Sequence, residues 1–225
     1  MSGFKSKKMN LILRESNFQL LQNYIIKCCT KMNDDCKEGI RNKLFNHEDK
    51  IKNRLIEFYL DNKENQMSLG LPNLEMKFDP EISESYDVST DQFIGRTDIR
   101  ISNKDIFHNR NLYYIIECKR INGNAKLNKA YVTEGIARFV EEKYYSGYGR
   151  NFMLAFEVKK LNRKENIDKI KRIQYYELRT YISEEFLYIE DKEDYSILSG
   201  KYNLGQEKLE LRHIFYDFSE ALTIN

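Results

Sequence analysis

Asp98, Glu117 and Lys119 are charged residues set inside two otherwise apolar, β-type runs, 93–101 and 112–120. A strand turns successive side chains to opposite faces, so Glu117 and Lys119 point the same way while Ile116 and Cys118 point the other. Pairing of the two runs as a hairpin, through the polar turn at 103–111, lays Asp98 beside Glu117. Two carboxylates and an ammonium then converge on one spot of a sheet. Carboxylates that stay ionised side by side favour a hard divalent cation. Mg²⁺, or Mn²⁺ in its place, takes oxygen ligands and retains waters for hydrolysis.

The elements that must position these groups are legible in the periodicity. A helix is expected over 47–60, with Ile51, Leu55, Ile56 and Tyr59 on one face, Asn46 as N-cap and Glu48 and Asp49 in the first turn. Gly70 and Pro72 break the chain, and a first strand is expected at 74–78. After the two motif-bearing strands, the turn Asn122-Gly123-Asn124 leads into a helix over 126–144 whose core face is Val132, Ile136, Phe139 and Val140. Gly135, in its middle, costs about 1 kcal/mol of helix stability and is expected to allow close approach to the sheet or to a ligand. A fourth strand at 151–158, a helix at 163–178, acidic connections and a strand at 211–216 follow. Upstream, 16–31 carries Phe18, Leu21, Tyr24, Ile25 and Cys28 at helical spacing. The chain therefore reads as an N-terminal helical extension over 1–46, packed on the core or on a partner, and one domain over 47–225.

Asp98, then eighteen intervening residues, then Glu117-Cys118-Lys119, on strands preceded by a helix and followed by a helix and a strand, resembles the PD-(D/E)XK nuclease superfamily. This is the fold of restriction endonucleases, and the resemblance spans roughly 48–156. Thr97 stands where the family has a proline. The resemblance implies an α/β class with a restriction endonuclease-like αβββαβ core, a mixed central sheet flanked by helices. It implies that Asp98, Glu117 and Lys119 are catalytic. Asp98 and Glu117 would bind metal together with the backbone carbonyl of Cys118, and Lys119 would hold or polarise the attacking water. A further acid on the first core helix is implied at Glu48, with Glu57 as its rival. On the later helix, Arg138 and Tyr131 are the implied phosphate-side contacts, although Glu134 and Arg138 also have the spacing of a plain helical ion pair. The implied activity is metal-dependent hydrolysis of phosphodiester bonds in DNA, in a setting such as restriction or anti-phage defence. Two alternatives stay open: a non-catalytic nucleic-acid- or protein-binding module on the same fold, and an RNA-directed nuclease.

Charge is distributed rather than extreme. The formal net charge is only +2. Residues 101–180, however, carry 17 Lys and Arg against 9 Asp and Glu, and residues 1–60 carry 12 against 7. Lys126 and Lys129, with Arg138, are accordingly expected to contact phosphate. The aromatic segment 144–148 beside Arg150 suits either stacking on an unpaired base or packing at a helix end. Cys28, Cys29, Cys36 and Cys118 lack a CxxC pairing and read as reduced thiols of a cytoplasmic protein. His47, His108 and His213 have no metal-ligand spacing. No apolar run approaches 18 residues, so neither a membrane span nor a secretory signal is expected. The N-terminal helices are the expected contact for a second copy or a partner protein. Deleting any one of the three charges is expected to disturb folding little, since no core cavity opens.

Overall fold

Among the described residues, seven strands hydrogen-bond into one mixed sheet in the order β1-β4-β5-β6-β9-β8-β7. The computed structural model describes residues 3–71, 76–103, 113–141 and 148–223. The strands are β1 (Met76–Pro80), β4 (Ile99–Asn103), β5 (Tyr114–Ile121), β6 (Arg150–Glu157), β7 (Ile182–Asp191), β8 (Tyr195–Leu204) and β9 (Glu207–Asp217). β1, β4 and β5 form an antiparallel meander. β5, β6 and β9 are parallel, and β9, β8 and β7 return antiparallel. β1 is an edge strand, so its terminal Pro80 removes no ladder hydrogen bond from the sheet interior.

Helices cover both faces, because β5 and β6 are apolar on both sides. On one face lie α1 (Gly3–Lys37), α2 (Glu48–Leu55) and α3 (Lys63–Leu69). α1 and α2 share one core with Tyr114, Ile116, Cys118, Phe152, Leu154 and Phe156 of the sheet. The opposite core joins Ile115, Met153, Ala155 and Phe215 to α4 (Ala125–Tyr131), α5 (Ala137–Val140) and α6 (Arg163–Leu178). The helix expected at 47–60 is α2 continued by a π-helical turn, Ile56–Leu60. The carbonyls freed at its end are taken up by the Tyr24 hydroxyl, 2.9 Å from both Tyr59 O and Leu60 O, and by the amides of Asn65 and Gln66. α4 and α5 are likewise one helix interrupted by a π-helical turn, Val132–Ile136, ending at Val140 rather than 144.

α1 packs on the core: the Phe18 ring lies 4.5 Å from that of Phe152 and stacks 5.7 Å from that of Tyr114, and the apolar stripe from Phe18 to Cys36 is part of the larger core. Three expectations are corrected. The α2 N-cap is His47, without a side-chain bond, because Asn46 is engaged by the Arg120 guanidinium at 2.7 and 2.8 Å. The run 93–101 is not one strand. β2 (Ser83–Asp87) and β3 (Gln92–Arg96) form a separate two-stranded arm, and the chain bends at Thr97 and Asp98 before β4 begins. That bend is knitted by Thr97 N–H donating to Ile82 O at 2.9 Å and Glu81 N–H to Asp98 O at 3.1 Å. Finally, the acidic connections after 178 are the strands β7 and β8. β7 is the outermost strand, and its Glu184, Glu185, Glu190 and Asp191 charges mask an alternation in which Phe186 and Tyr188 turn inward. Of the polar turn expected at 103–111, Asn103 ends β4 and 104–111 lie outside the described residues, as do residues 74 and 75 and the aromatic residues 144–147; Tyr148 is described, and its ring stacks 4.4 Å from Tyr114.

Candidate active site

β5 is hydrogen-bonded on both sides, which forces whatever it carries deep into the molecule. Glu117 is 0 % exposed. A buried carboxylate is tolerated only with strong partners, and one oxygen, Oε1, accepts from both Lys119 Nζ at 2.7 Å and Arg138 Nη1 at 2.9 Å. Alternation thus places Glu117 and Lys119 on one face and the Cys118 thiol in the opposite core. Burial, reinforced by the charge of Asp98, pushes Glu117 up to about 7 despite its two cations. Burial works against the charged form of Lys119, but the acids Glu117, Asp98 and Glu48 outweigh it and raise its pKa.

Asp98 is delivered by the bend rather than by a strand. Ile99 pairs with Ile116, which brings Asp98 to the level of Glu117. Its Oδ2 accepts the Cys118 backbone N–H at 2.8 Å, extending the ladder by one bond made by a side chain. Its Oδ1 lies 3.1 Å from Lys52 Nζ. Glu48, the first residue of α2, docks the helix onto the end of β5: Oε2 accepts the Arg120 N–H at 2.8 Å, and Oε1 lies 3.6 Å from Lys119 Nζ. The Cys118 carbonyl accepts from Lys119 at 3.1 Å. Glu48, Glu117 and the Cys118 carbonyl therefore gather around the Lys119 ammonium, whereas Asp98 is held by Lys52.

A cleft of about 580 Å³ opens beside this cluster, bounded by Glu48, Lys119, Arg120, Lys126, Lys129 and Glu134. Lys126 and Lys129 both line this cleft, and Lys129 also pairs with Glu177 at 3.2 Å. Arg138 joins the site through Glu117. Tyr131 does not: it is fully buried, its hydroxyl lies 2.9 Å from His213 Nδ1, and it packs on Phe215 in the core. A wide tyrosine on the inner side of α4 fills space between helix and sheet. Glu57 is exposed on the π-helical turn of α2. Gly135 does allow close approach, since a Cβ there would stand 2.6 Å from Met153 Cε and 3.5 Å from Lys119 Cγ. Lys52 is the site residue that sequence reading missed. Its signal is its spacing one helical turn after Glu48, on the buried stripe of α2 where a lysine is out of place.

Among the described residues, no three His, Cys, Asp or Glu side chains cluster tightly enough to hold a metal ion by themselves. The implied set of three acids with a carbonyl is therefore not gathered as one cage. The donors nonetheless suit Mg²⁺ chemically. Asp98 and Glu117 offer hard carboxylate oxygens, and Mg²⁺ is commonly bound through one or two carboxylates while keeping several waters.

A scan against protein-family models finds no match, and searches of curated proteins and of solved structures find none either. Among the described residues, no helix is long and apolar enough to cross a membrane.

Proposed function

We propose that this protein is a metal-dependent nuclease of the PD-(D/E)XK type that hydrolyses phosphodiester bonds, with DNA the expected substrate. The observation that carries the reading is a wholly buried glutamate, Glu117, ion-paired to Lys119 at the wall of a basic-sided cleft, with Asp98 bonded to the intervening residue. A buried acid costs stability and is retained most readily where chemistry uses it. The run of β1, β4 and β5 as a meander, then α4 and α5, then the parallel strand β6, supports the αβββαβ assignment.

In this mechanism Asp98 and Glu117 would hold the Mg²⁺, which when bound would supply Lewis acidity and an activated water. Lys119 donates to the attacking water and offsets charge building on the phosphate oxygens, a task suited to a compact ammonium. Arg138 fixes the Glu117 carboxylate from the opposite side. Glu48 locks the end of β5 by its bond to Arg120 N–H, and Lys126 and Lys129 receive flanking phosphates. The four cysteines, all buried free thiols, suit a reducing compartment such as the cytoplasm. The test is incubation of the purified chain with supercoiled plasmid, linear duplex, single-stranded DNA and RNA, with Mg²⁺ or Mn²⁺ and with chelator. Cleavage that requires the metal and disappears in Lys119→Ala is expected. No cleavage of any of the four substrates with either metal would sink the proposal.

A further inference from the structure

Lys52 is a buried cation to which the mechanism above assigns no task. Its side chain is 2 % exposed, and its ammonium lies 3.1 Å from Asp49 Oδ1, 3.2 Å from Glu81 Oε1 and 3.1 Å from Asp98 Oδ1. A lysine ammonium has three N–H donors and no acceptor, so these three carboxylates use its full capacity. Nothing is left with which it could grip a substrate or a water. It also differs from Lys119 in place: Lys119 lines the cleft, whereas Lys52 is not among the residues that do.

Its three partners come from three separate elements. Asp49 is in the first turn of α2, Glu81 is in the left-handed turn between β1 and β2 with φ 54°, and Asp98 is in the bend before β4. Lys52 itself sits one helical turn after Glu48 and so shares its side of α2. Asp98 is gripped from two sides, by Lys52 on Oδ1 and by the Cys118 N–H, next to Glu117, on Oδ2.

We propose that Lys52 is a positioning residue of the metal centre: it ties Asp98 to the helix that carries Glu48, and so sets the separation between Asp98 and Glu117. Without the ammonium, Asp49, Glu81 and Asp98 face one another without the cation they share, Arg96 lying 2.6 Å from Glu81 Oε2, and Asp98 turns away from the Cys118 amide. The inference rests on the metal-dependent reading of the site.

The sign of one measurement separates positioning from mere charge balance. A cation that only balances charge also competes with a metal, so removing it tightens metal binding. A cation that positions a ligand loosens binding when removed. Mn²⁺ alone, titrated calorimetrically into the full chain, is expected to bind Lys52→Met at least tenfold more weakly than wild type, with the helical and strand signals in circular dichroism retained. Lys52→Gln, whose amide leaves a donor in the pocket, covers the case in which the methionine variant does not fold, and weaker binding is expected there too. Unchanged or tighter Mn²⁺ binding in the folded variant overturns the positioning role. Glu117→Gln serves as the control for the centre itself. If wild type binds no Mn²⁺, or Glu117→Gln binds it as tightly as wild type, the metal centre fails and Lys52 loses its role with it. If Glu117→Gln loses Mn²⁺ and Lys52→Met does not, only the positioning role fails.

Discussion

At the residue scale, Glu117 Oε1 receives two cations in a place that water does not reach. This burial argues against the expectation that its charge could be deleted at little structural expense. Removing Glu117 leaves Lys119, itself only 7 % exposed, without its nearest acid, and breaking a buried pair from one side costs about 3–5 kcal/mol. Glu117→Ala should lose cleavage and also unfold at clearly lower urea. Lys119→Ala should lose cleavage by about 10²-fold or more with a smaller stability loss, because Arg138 still pairs with Glu117. Lys119→Arg should not restore the rate, since a planar fork does not replace a point charge. Urea titrations followed by circular dichroism, run beside cleavage rates, read both effects. A Glu117→Ala chain as stable as wild type would show that the buried ion cluster contributes little to the fold.

At the element scale, α4 presents Lys126 and Lys129 to the cleft, whereas Arg138, on α5, is committed to Glu117. These basic residues should therefore separate in their effects. Each phosphate contact contributes about 0.9 to the slope of log affinity against log salt on duplex DNA, so Lys126→Ala with Lys129→Ala should flatten that slope by roughly 1.8. Arg138→Ala should instead lower the cleavage rate at saturating substrate and leave the slope nearly unchanged. An unaltered slope in the double variant would move the substrate to another face. Gly135 offers a second probe of the same helix. Gly135→Ala pushes the terminal methyl of Met153, while the helix gains about 1 kcal/mol of propensity, so its stability should stay near wild type. Gly135→Val adds branches toward Lys119 Cγ, 3.5 Å from the Cβ position, and should slow cleavage. Equal rates in the alanine and valine variants would show that Lys119 does not feel the helix.

At the scale of the whole molecule, a buried polar chain links both helices of one face to the returning strands. Tyr131 of α4 meets His213 of β9 at 2.9 Å, Tyr202 of β8 lies 3.5 Å from the other ring nitrogen, and Gln174 of α6 donates to Tyr202 at 2.6 Å. Burial, with the nearby Arg212 charge, pushes His213 down to about 3. The unfolded chain then takes up this proton first, near pH 6.5, and His213 withdraws stability as pH falls from about 6.5 to 3. Glu117, raised to about 7, acts in the opposite sense. Its contribution is present below the unfolded value of 4.5 and is lost as pH rises toward 7. Between about pH 5 and 6.5 the two slopes oppose each other, each about 1.4 kcal/mol per pH unit. His213→Gln removes one of them. Its stability relative to wild type should therefore rise steadily on acidification from pH 6.5 to 5, as read by denaturant titrations at several pH values. Parallel curves for the two chains would mean that His213 is not held neutral by burial.

What the sequence by itself determined is local. Strand alternation put Glu117 and Lys119 on one face and Cys118 in the core, helical spacing marked the buried stripes of α1 and α2, and Gly135 marked a close approach. These follow from backbone geometry over a few residues, with periods of 2 and 3.6 that any strand or helix must obey. The tertiary structure alone decided which acid meets which cation. Asp98 goes to Lys52 across 46 residues and Glu48 to the Arg120 amide across 72. Tyr131 is core rather than substrate wall, because its partner His213 lies 82 residues away. Charges also hid β7 and β8, since an edge strand can expose on its outer side what a central strand would have to bury. Local steric rules repeat along any chain, but the pairing of charges depends on loop closures between distant segments and on burial that only the assembled sheet and helices create.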